Sequence, residues 1–170
     1  MDQVFQEYLF FDLMLRQNVF QGIVVLRLDQ VTFVVYSMQL QVDNLLFEML
    51  KAFQNAGYKL AIASNKPQML LDPIVKQLFP EINFVAALGQ RINTPEKPDP
   101  FIIYQIMNKC KLNGEDCLYI GDSEYDYKTA HNAGIDCAIC RYGYGFYDRD
   151  WAKKATYLVD SVNELKNLLI

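Results

Sequence analysis

Leu118-Tyr119-Ile120-Gly121-Asp122-Ser123-Glu124-Tyr125-Asp126 decides how this 170-residue chain reads: an apolar run stops at a glycine and opens into acids at 122 and 126. The run predicts a strand, and the Gly-Asp-Ser exit predicts a turn in which Asp122 or Ser123 caps the next helix. A strand needs no carboxylate at its exit. A divalent cation such as Mg²⁺ does, because it takes a few hard oxygen ligands and keeps positions open for water and phosphate. Asp122 is thus a candidate metal ligand as well as a candidate cap, and the local residues leave both readings open.

Two stretches upstream put further polar groups at strand ends. Lys59 to Ala63 is an apolar strand that runs into Ser64-Asn65-Lys66-Pro67, so a hydroxyl, an amide and a helix start converge where open α/β sheets bind ligands. Lys97-Pro98-Asp99-Pro100 sets a lysine just ahead of a helix, with Asp99 as its cap and Pro100 at its first position. Taken singly, Ser-Asn is an ordinary cap and the lysine an ordinary loop charge. Their order and their strand-helix settings together make coincidence improbable.

On these residues the chain resembles the haloacid dehalogenase-like superfamily, and within it the phosphoglycolate-phosphatase-like branch, over residues 42–170. The resemblance rests on Gly57-Tyr58-Lys59-Leu60-Ala61-Ile62-Ala63-Ser64-Asn65-Lys66-Pro67, on Lys97-Pro98-Asp99-Pro100 and on Gly121 to Asp126, followed by Ala130-His131-Asn132-Ala133-Gly134 and Tyr142-Gly143-Tyr144-Gly145. It implies a Mg²⁺-dependent phosphatase that acts on a small phosphorylated metabolite through an aspartyl-phosphate. By the same resemblance Ser64 would donate its hydroxyl to a phosphoryl oxygen with Asn65 beside it. Lys97 would bridge nucleophile and phosphoryl group, and Asp122 and Asp126 would join the nucleophile around Mg²⁺. Phosphoryl transfer is catalysed mostly by positioning and by opposing the charge on the equatorial oxygens, and these residue types suit that task.

The family's nucleophile is an aspartate in a D-x-D-G-T-like motif at the end of the first strand, and here the chain departs from the pattern. Tyr8-Leu9-Phe10-Phe11-Asp12-Leu13-Met14-Leu15-Arg16 puts Asp12 in the nucleophile's place but Met14 where the second aspartate belongs. Val24-Val25-Leu26-Arg27-Leu28-Asp29-Gln30-Val31-Thr32 keeps the second aspartate, Asp29, with Arg27 in the nucleophile's place. An arginine cannot attack phosphorus. Asp12 is the favoured nucleophile and metal ligand, since the covalent route requires a carboxylate and the four apolar residues before it suit a buried central strand. The same residues also fit a helix whose apolar face holds Val4, Phe5, Tyr8, Leu9, Phe11 and Leu15. Residues 1–41 are accordingly an atypical N-terminal segment, with a β-hairpin expected over 22–38 turning near Asp29-Gln30. Met14 keeps a dehalogenase or phosphonatase chemistry open, and the broken motif keeps open a non-catalytic protein that binds phosphate or a partner.

A 52% hydrophobic content with 14% aromatic residues suffices for one core, so the chain is expected to form a single domain over 1–170. A formal charge of -4 and a pI near 5.0 argue against a non-specific grip on nucleic acid. No positive region precedes the first apolar run, and residues 22–38 carry Arg27 and Asp29, so neither a signal peptide nor a membrane span is expected and the cytoplasm is the expected compartment. Cys110, Cys117, Cys137 and Cys140 show no disulfide framework. The C-x-x-C pair at 137 and 140 lies in a predicted strand, where buried thiols are expected. His131 sits among helix formers, with a surface or packing role.

From Asp43 onward the pattern alternates. A helix with Leu45, Leu46, Met49, Leu50 and Phe53 on one face ends at Gly57, and strand 59–63, helix 67–78, strand 84–88, helix 100–109, strand 117–121, a helix ending at Gly134 and strand 136–141 follow. Ser161 and Glu164 form a capping box for the last helix. Such βαβα alternation predicts a Rossmann-like parallel sheet covered on both faces. The interval before Ser64 has no room for the helical cap that such phosphatases usually carry there, so the site is expected to be open, or covered by a second copy of the chain.

Overall fold

The computed structural model describes residues 20–21, 23–27, 37–38, 44–142 and 150–170. In chain order the elements are β1 (Phe20–Gln21), β2 (Ile23–Arg27), β3 (Ser37–Met38), α1 (Asn44–Asn55), β4 (Tyr58–Pro67), α2 (Gln68–Leu78), β5 (Phe84–Gln90), α3 (Phe101–Cys110), β6 (Cys117–Gly121), α4 (Glu124–Ala133), β7 (Asp136–Cys140), β8 (Tyr157–Val159) and α5 (Val162–Leu169). Six strands form one sheet in the order β5-β4-β2-β6-β7-β8. The pairs β4-β5, β6-β7 and β7-β8 are parallel, whereas β2 is antiparallel to both of its neighbours.

Each face of the sheet carries its own apolar layer. Leu60 and Ile62 of β4 and Leu118 and Ile120 of β6 pack with Leu46, Met49, Leu50 and Phe53 of α1, Leu71 and Ile74 of α2, and Leu165 of α5. Ala61, Ala63, Cys117 and Tyr119 face the other way, toward Ile102, Ile103 and Ile106 of α3 and Ala130 of α4. This is the alternation of period two that a strand imposes, and all five residues of β6 are buried. The expected α/β architecture, helices on both faces of a largely parallel sheet, is the one found.

Several boundaries and faces differ from expectation. Leu45 is 51% exposed, because the buried stripe of α1 runs through 46, 49, 50 and 53 at helical spacing and leaves 45 off its edge. β8 was not anticipated. Ser161 does accept from the Glu164 amide (3.1 Å), but the Glu164 carboxylate accepts from the Asp160 amide (2.6 Å), one residue before the cap. Gly57 (φ +91°) and Gly134 (φ +70°) end α1 and α4 in the left-handed region, as their positions predicted.

The hairpin expected over 22–38 is not the pairing found. Ile23–Arg27 sits between β4 and β6, and among the described residues the pairing across the segment is Phe20 with Met38 and Gln21 with Ser37. The central place in the sheet, expected for the residues before Asp12, thus belongs to residues 23–27. Tyr8 to Arg16, with Asp12 and Met14, and Asp29-Gln30 lie outside the described residues. Among the described residues no helical cap intervenes between β2 and β4, and no helix is long and apolar enough to cross a membrane.

Candidate active site

Register places the first two site residues. Ile23 of β2 is the partner of both Ile62 and Ile120, and Ser64 and Asp122 each follow two residues later. They therefore leave the sheet at one level of its carboxyl edge, two strand spacings or about 10 Å apart. Both side chains are buried. Ser64 Oγ accepts from the Lys66 amide at 3.1 Å, so the hydroxyl proton is available to an acceptor on that edge.

Lys97 spans the gap between these two strand ends. The Asn65 side chain clasps its backbone, with Oδ1 accepting from the Lys97 amide (2.8 Å) and Nδ2 donating to the Lys97 carbonyl (3.2 Å). Asn132 at the end of α4 donates to the Pro98 carbonyl (2.9 Å), which ties the same loop to the other side of the edge. The Lys97 ammonium reaches Asp126 Oδ1 at 2.8 Å, and both side chains are fully buried. Asp99 caps α3 through the Phe101 amide (2.9 Å), as expected, although the helix opens one residue later than Pro100.

Asp126 is the most heavily engaged carboxylate of the edge. Its Oδ1 accepts from Lys97 and from the Tyr119 hydroxyl (2.9 Å), and its Oδ2 accepts from the Asp122 amide (3.2 Å), the Ser123 amide (3.1 Å) and Ser123 Oγ (2.6 Å). Burial alone would raise its pKa, but the Lys97 charge and the hydrogen bonds from Lys97, Ser123 and Tyr119 outweigh burial and hold the carboxyl below its ordinary value. Ser123 and Asp126 also form a reciprocal capping box at the start of α4. Glycine at 121 is what lets this carboxylate approach the strand: a Cβ there would lie 2.3 Å from Asp126 Cβ.

The donor set sets limits on a cation. A carboxylate offers about four lone-pair sites, and those of Asp126 are taken by protein donors, so it does not fit as a direct ligand. Asp122 does fit, since Mg²⁺ needs only one or two carboxylates and draws its other oxygens from water and phosphate. Among the described residues no group of three or more His, Cys, Asp or Glu side chains is placed to hold a metal. Asp12 lies outside the described residues.

Of the residues singled out in the sequence, Ser64, Asn65, Lys97, Asp122 and Asp126 meet at one edge. Tyr119 and Asn132 join them without having been singled out, and Ser123, read in the sequence as a cap of the next helix, caps α4 and donates to Asp126. Tyr119 carried one signal: a tyrosine in a strand of wholly apolar neighbours needs a partner for its hydroxyl. Burial first, and then the Asp126 carboxylate, push that phenol well above its ordinary pKa, so it stays a donor. His131 is exposed and stacks on Tyr127 with ring centroids 5.8 Å apart.

A strand-helix sheet with a serine, a lysine and a GDSxxD acid pair on its carboxyl edge belongs to a known class of hydrolase folds. The sequence profile of the haloacid dehalogenase-like hydrolases matches residues 29–140, and the chain belongs to that family. It is 31% identical over 122 residues to phosphoglycolate phosphatase 1 of Pseudomonas aeruginosa, covering 72% of this chain and 44% of that protein. It is 30% identical over 123 residues to the phosphoglycolate phosphatase of Vibrio vulnificus, covering 72% and 54%. A crystal structure of a phosphoglycolate phosphatase candidate from Lactobacillus delbrueckii subsp. bulgaricus superimposes with a TM-score of 0.69 at 29% identity, covering 78% of this chain and 56% of that one. The chain spans about half the length of the curated relatives it matches.

Proposed function

We propose that the chain is a Mg²⁺-dependent phosphatase of the cytoplasm, acting on a small phosphate monoester of the phosphoglycolate kind through an aspartyl-phosphate on Asp12. The observation that carries this reading is the gathering of Ser64, Lys97 and Asp122 at one sheet edge, two donors and an acid on opposite sides of the central strand. Ser64 donates to a phosphoryl oxygen and Lys97 opposes its charge. Asp122 is the residue that holds Mg²⁺, which when bound supplies further positive charge at the phosphoryl oxygens. Asn65 serves the site by fixing Lys97, and Asp126 serves it by fixing the ammonium and the 122–123 turn. The course of β2 supports Asp12 over the second motif: Arg27 is the register partner of Tyr58, at the start of β4, six positions before Ser64, or about 20 Å away along the strand. Ile23, the first residue of β2, is paired with Ile62 and Ile120 at the other edge, where the site lies.

The same reversal of β2 favours one second reading, a phosphate-binding protein without turnover, because the carboxyl end of the central strand delivers Arg27 to the amino edge. The two readings separate on the full chain with an activated aryl phosphate. The phosphatase reading expects Mg²⁺-dependent release of the phenol that is lost in Asp12→Asn and Asp122→Asn, and a Mg²⁺-dependent rise in melting temperature that is lost in Asp122→Asn. A melting temperature that responds to inorganic phosphate, with no turnover under any Mg²⁺ concentration, establishes the second reading and overturns the first.

A further inference from the structure

The Lys97 ammonium does not rest on Asp126 alone. Its Nζ, the Tyr119 hydroxyl oxygen and Asp126 Oδ1 form a closed triangle: Lys97 donates to Asp126 at 2.8 Å and to Tyr119 at 3.2 Å, and Tyr119 donates to the same carboxylate oxygen at 2.9 Å. All three side chains are shut away from solvent. A lysine head is a compact charge on four rotatable methylenes, and one acceptor leaves it free to pivot. Two acceptors on different elements, β6 and α4, fix the direction in which it is held. The Tyr119 ring lies 5.9 Å from the ammonium, so the contact is made by the hydroxyl at its rim and not by the face. By donating to Oδ1, the phenol also draws charge from the carboxylate that would otherwise quench the ammonium most strongly.

We infer that Tyr119 is a positioning residue: its hydroxyl, acting with Asp126, sets where the Lys97 ammonium meets an anion at the carboxyl edge. This rests on the reading of Lys97 as an anion-site residue. Tyr119→Phe deletes the hydroxyl and keeps the ring in the core layer that also holds Ala63, Ile103 and Ile139.

The test measures the affinity of the full chain for inorganic phosphate and for orthovanadate by calorimetry in the presence of Mg²⁺, beside the melting temperature of each variant. Lys97 is followed separately through its ammonium resonance in ¹H-¹⁵N spectra, identified by its loss in Lys97→Ala. In Tyr119→Phe the phosphate affinity is expected to fall about tenfold, the worth of one hydrogen bond to a charged group, and the Lys97 resonance to shift or broaden. A packing role alone moves the melting temperature and neither of these. Should Tyr119→Phe not fold, [¹³Cζ]tyrosine in the unaltered chain reads the same contact: the Tyr119 signal shifts when phosphate saturates the site if phenol and anion share the ammonium, and stays fixed if they do not. Unchanged phosphate affinity in Lys97→Ala sinks the anion-site reading itself. Weakened affinity in Lys97→Ala together with unchanged affinity and resonance in Tyr119→Phe leaves that reading standing and overturns the role of Tyr119.

Discussion

At the scale of single residues, the site depends on one missing side chain. Gly121 lets Asp126 fold back against the end of β6, and a Cβ at 121 would meet Asp126 Cγ at 2.6 Å and Oδ2 at 2.8 Å as well as its Cβ. Neither backbone nor carboxylate has an easy retreat, because Oδ1 is tied to Lys97 and Tyr119 and Oδ2 to the 122–123 turn. Gly121→Ala is therefore expected to cost about 1–3 kcal/mol, the usual range for overpacking, read as a lower urea midpoint at unchanged slope. An unshifted midpoint would show slack in the Asp126 cradle. Ser64, Lys97 and the acids of the 122–126 turn were legible in the sequence only as an ordered set, because each alone reads as a cap or a loop charge and their succession in strand-helix settings is what sets them apart. Asn65 was legible as a site residue, but its clasp on the Lys97 backbone was not: two hydrogen bonds that span 32 positions leave no local pattern. Tyr119 was hidden for a related reason, since β6 is buried on both faces and shows no alternation that would set one residue apart.

Among the elements, β7 makes the plainest test. Cys137 and Cys140 lie three apart, so a strand turns them to opposite faces, and they belong to the two separate core layers. The C-x-x-C spacing therefore makes neither a disulfide nor a shared metal site, and the thiols are free. Burial holds the thiols of Cys117, Cys137 and Cys140 above the ordinary value of 9.0. Because the folded-state pKa is raised, the folded chain keeps protons that the unfolded chain releases. The stabilisation is complete below the unfolded value and is lost as pH rises above it. Unfolding midpoints in urea should fall as pH climbs beyond 9.0, and Cys140→Ala should make the fall shallower by up to about 1.4 kcal/mol per pH unit. Equal slopes in the two proteins would mean that Cys140 ionises in the folded state. The helices and strands after residue 43 were readable for the same reason that β7 is: each apolar run has the length and punctuation of its element. β8 escaped because a three-residue strand is too short for any period to show.

For the molecule as a whole, the direction of β2 is the feature the sequence did not disclose. An apolar run carries no arrow, and Val24-Val25-Leu26 suits a central strand in either sense. The antiparallel register sets Leu26 opposite Cys117, and backbones so paired stand about 4.5–5.5 Å apart, within reach of a disulfide. Leu26→Cys is thus expected to cross-link to Cys117 under mild oxidation, as read by peptide mapping. A parallel β2 would carry residue 26 toward the other end of β6, and no 26–117 link would form.

That strand also governs how the chain can assemble. Remove β2 from the order β5-β4-β2-β6-β7-β8 and the sheet falls into a two-stranded and a three-stranded piece, each with a raw apolar edge. β2 is synthesised before either neighbour and cannot find its place until β4 and β6 both exist. Until β6 arrives, the flank of β2 that β6 will cover stands open, the condition under which chains pair with copies of themselves. The hazard of this fold lies at its centre, in a strand that has to be matched on both sides.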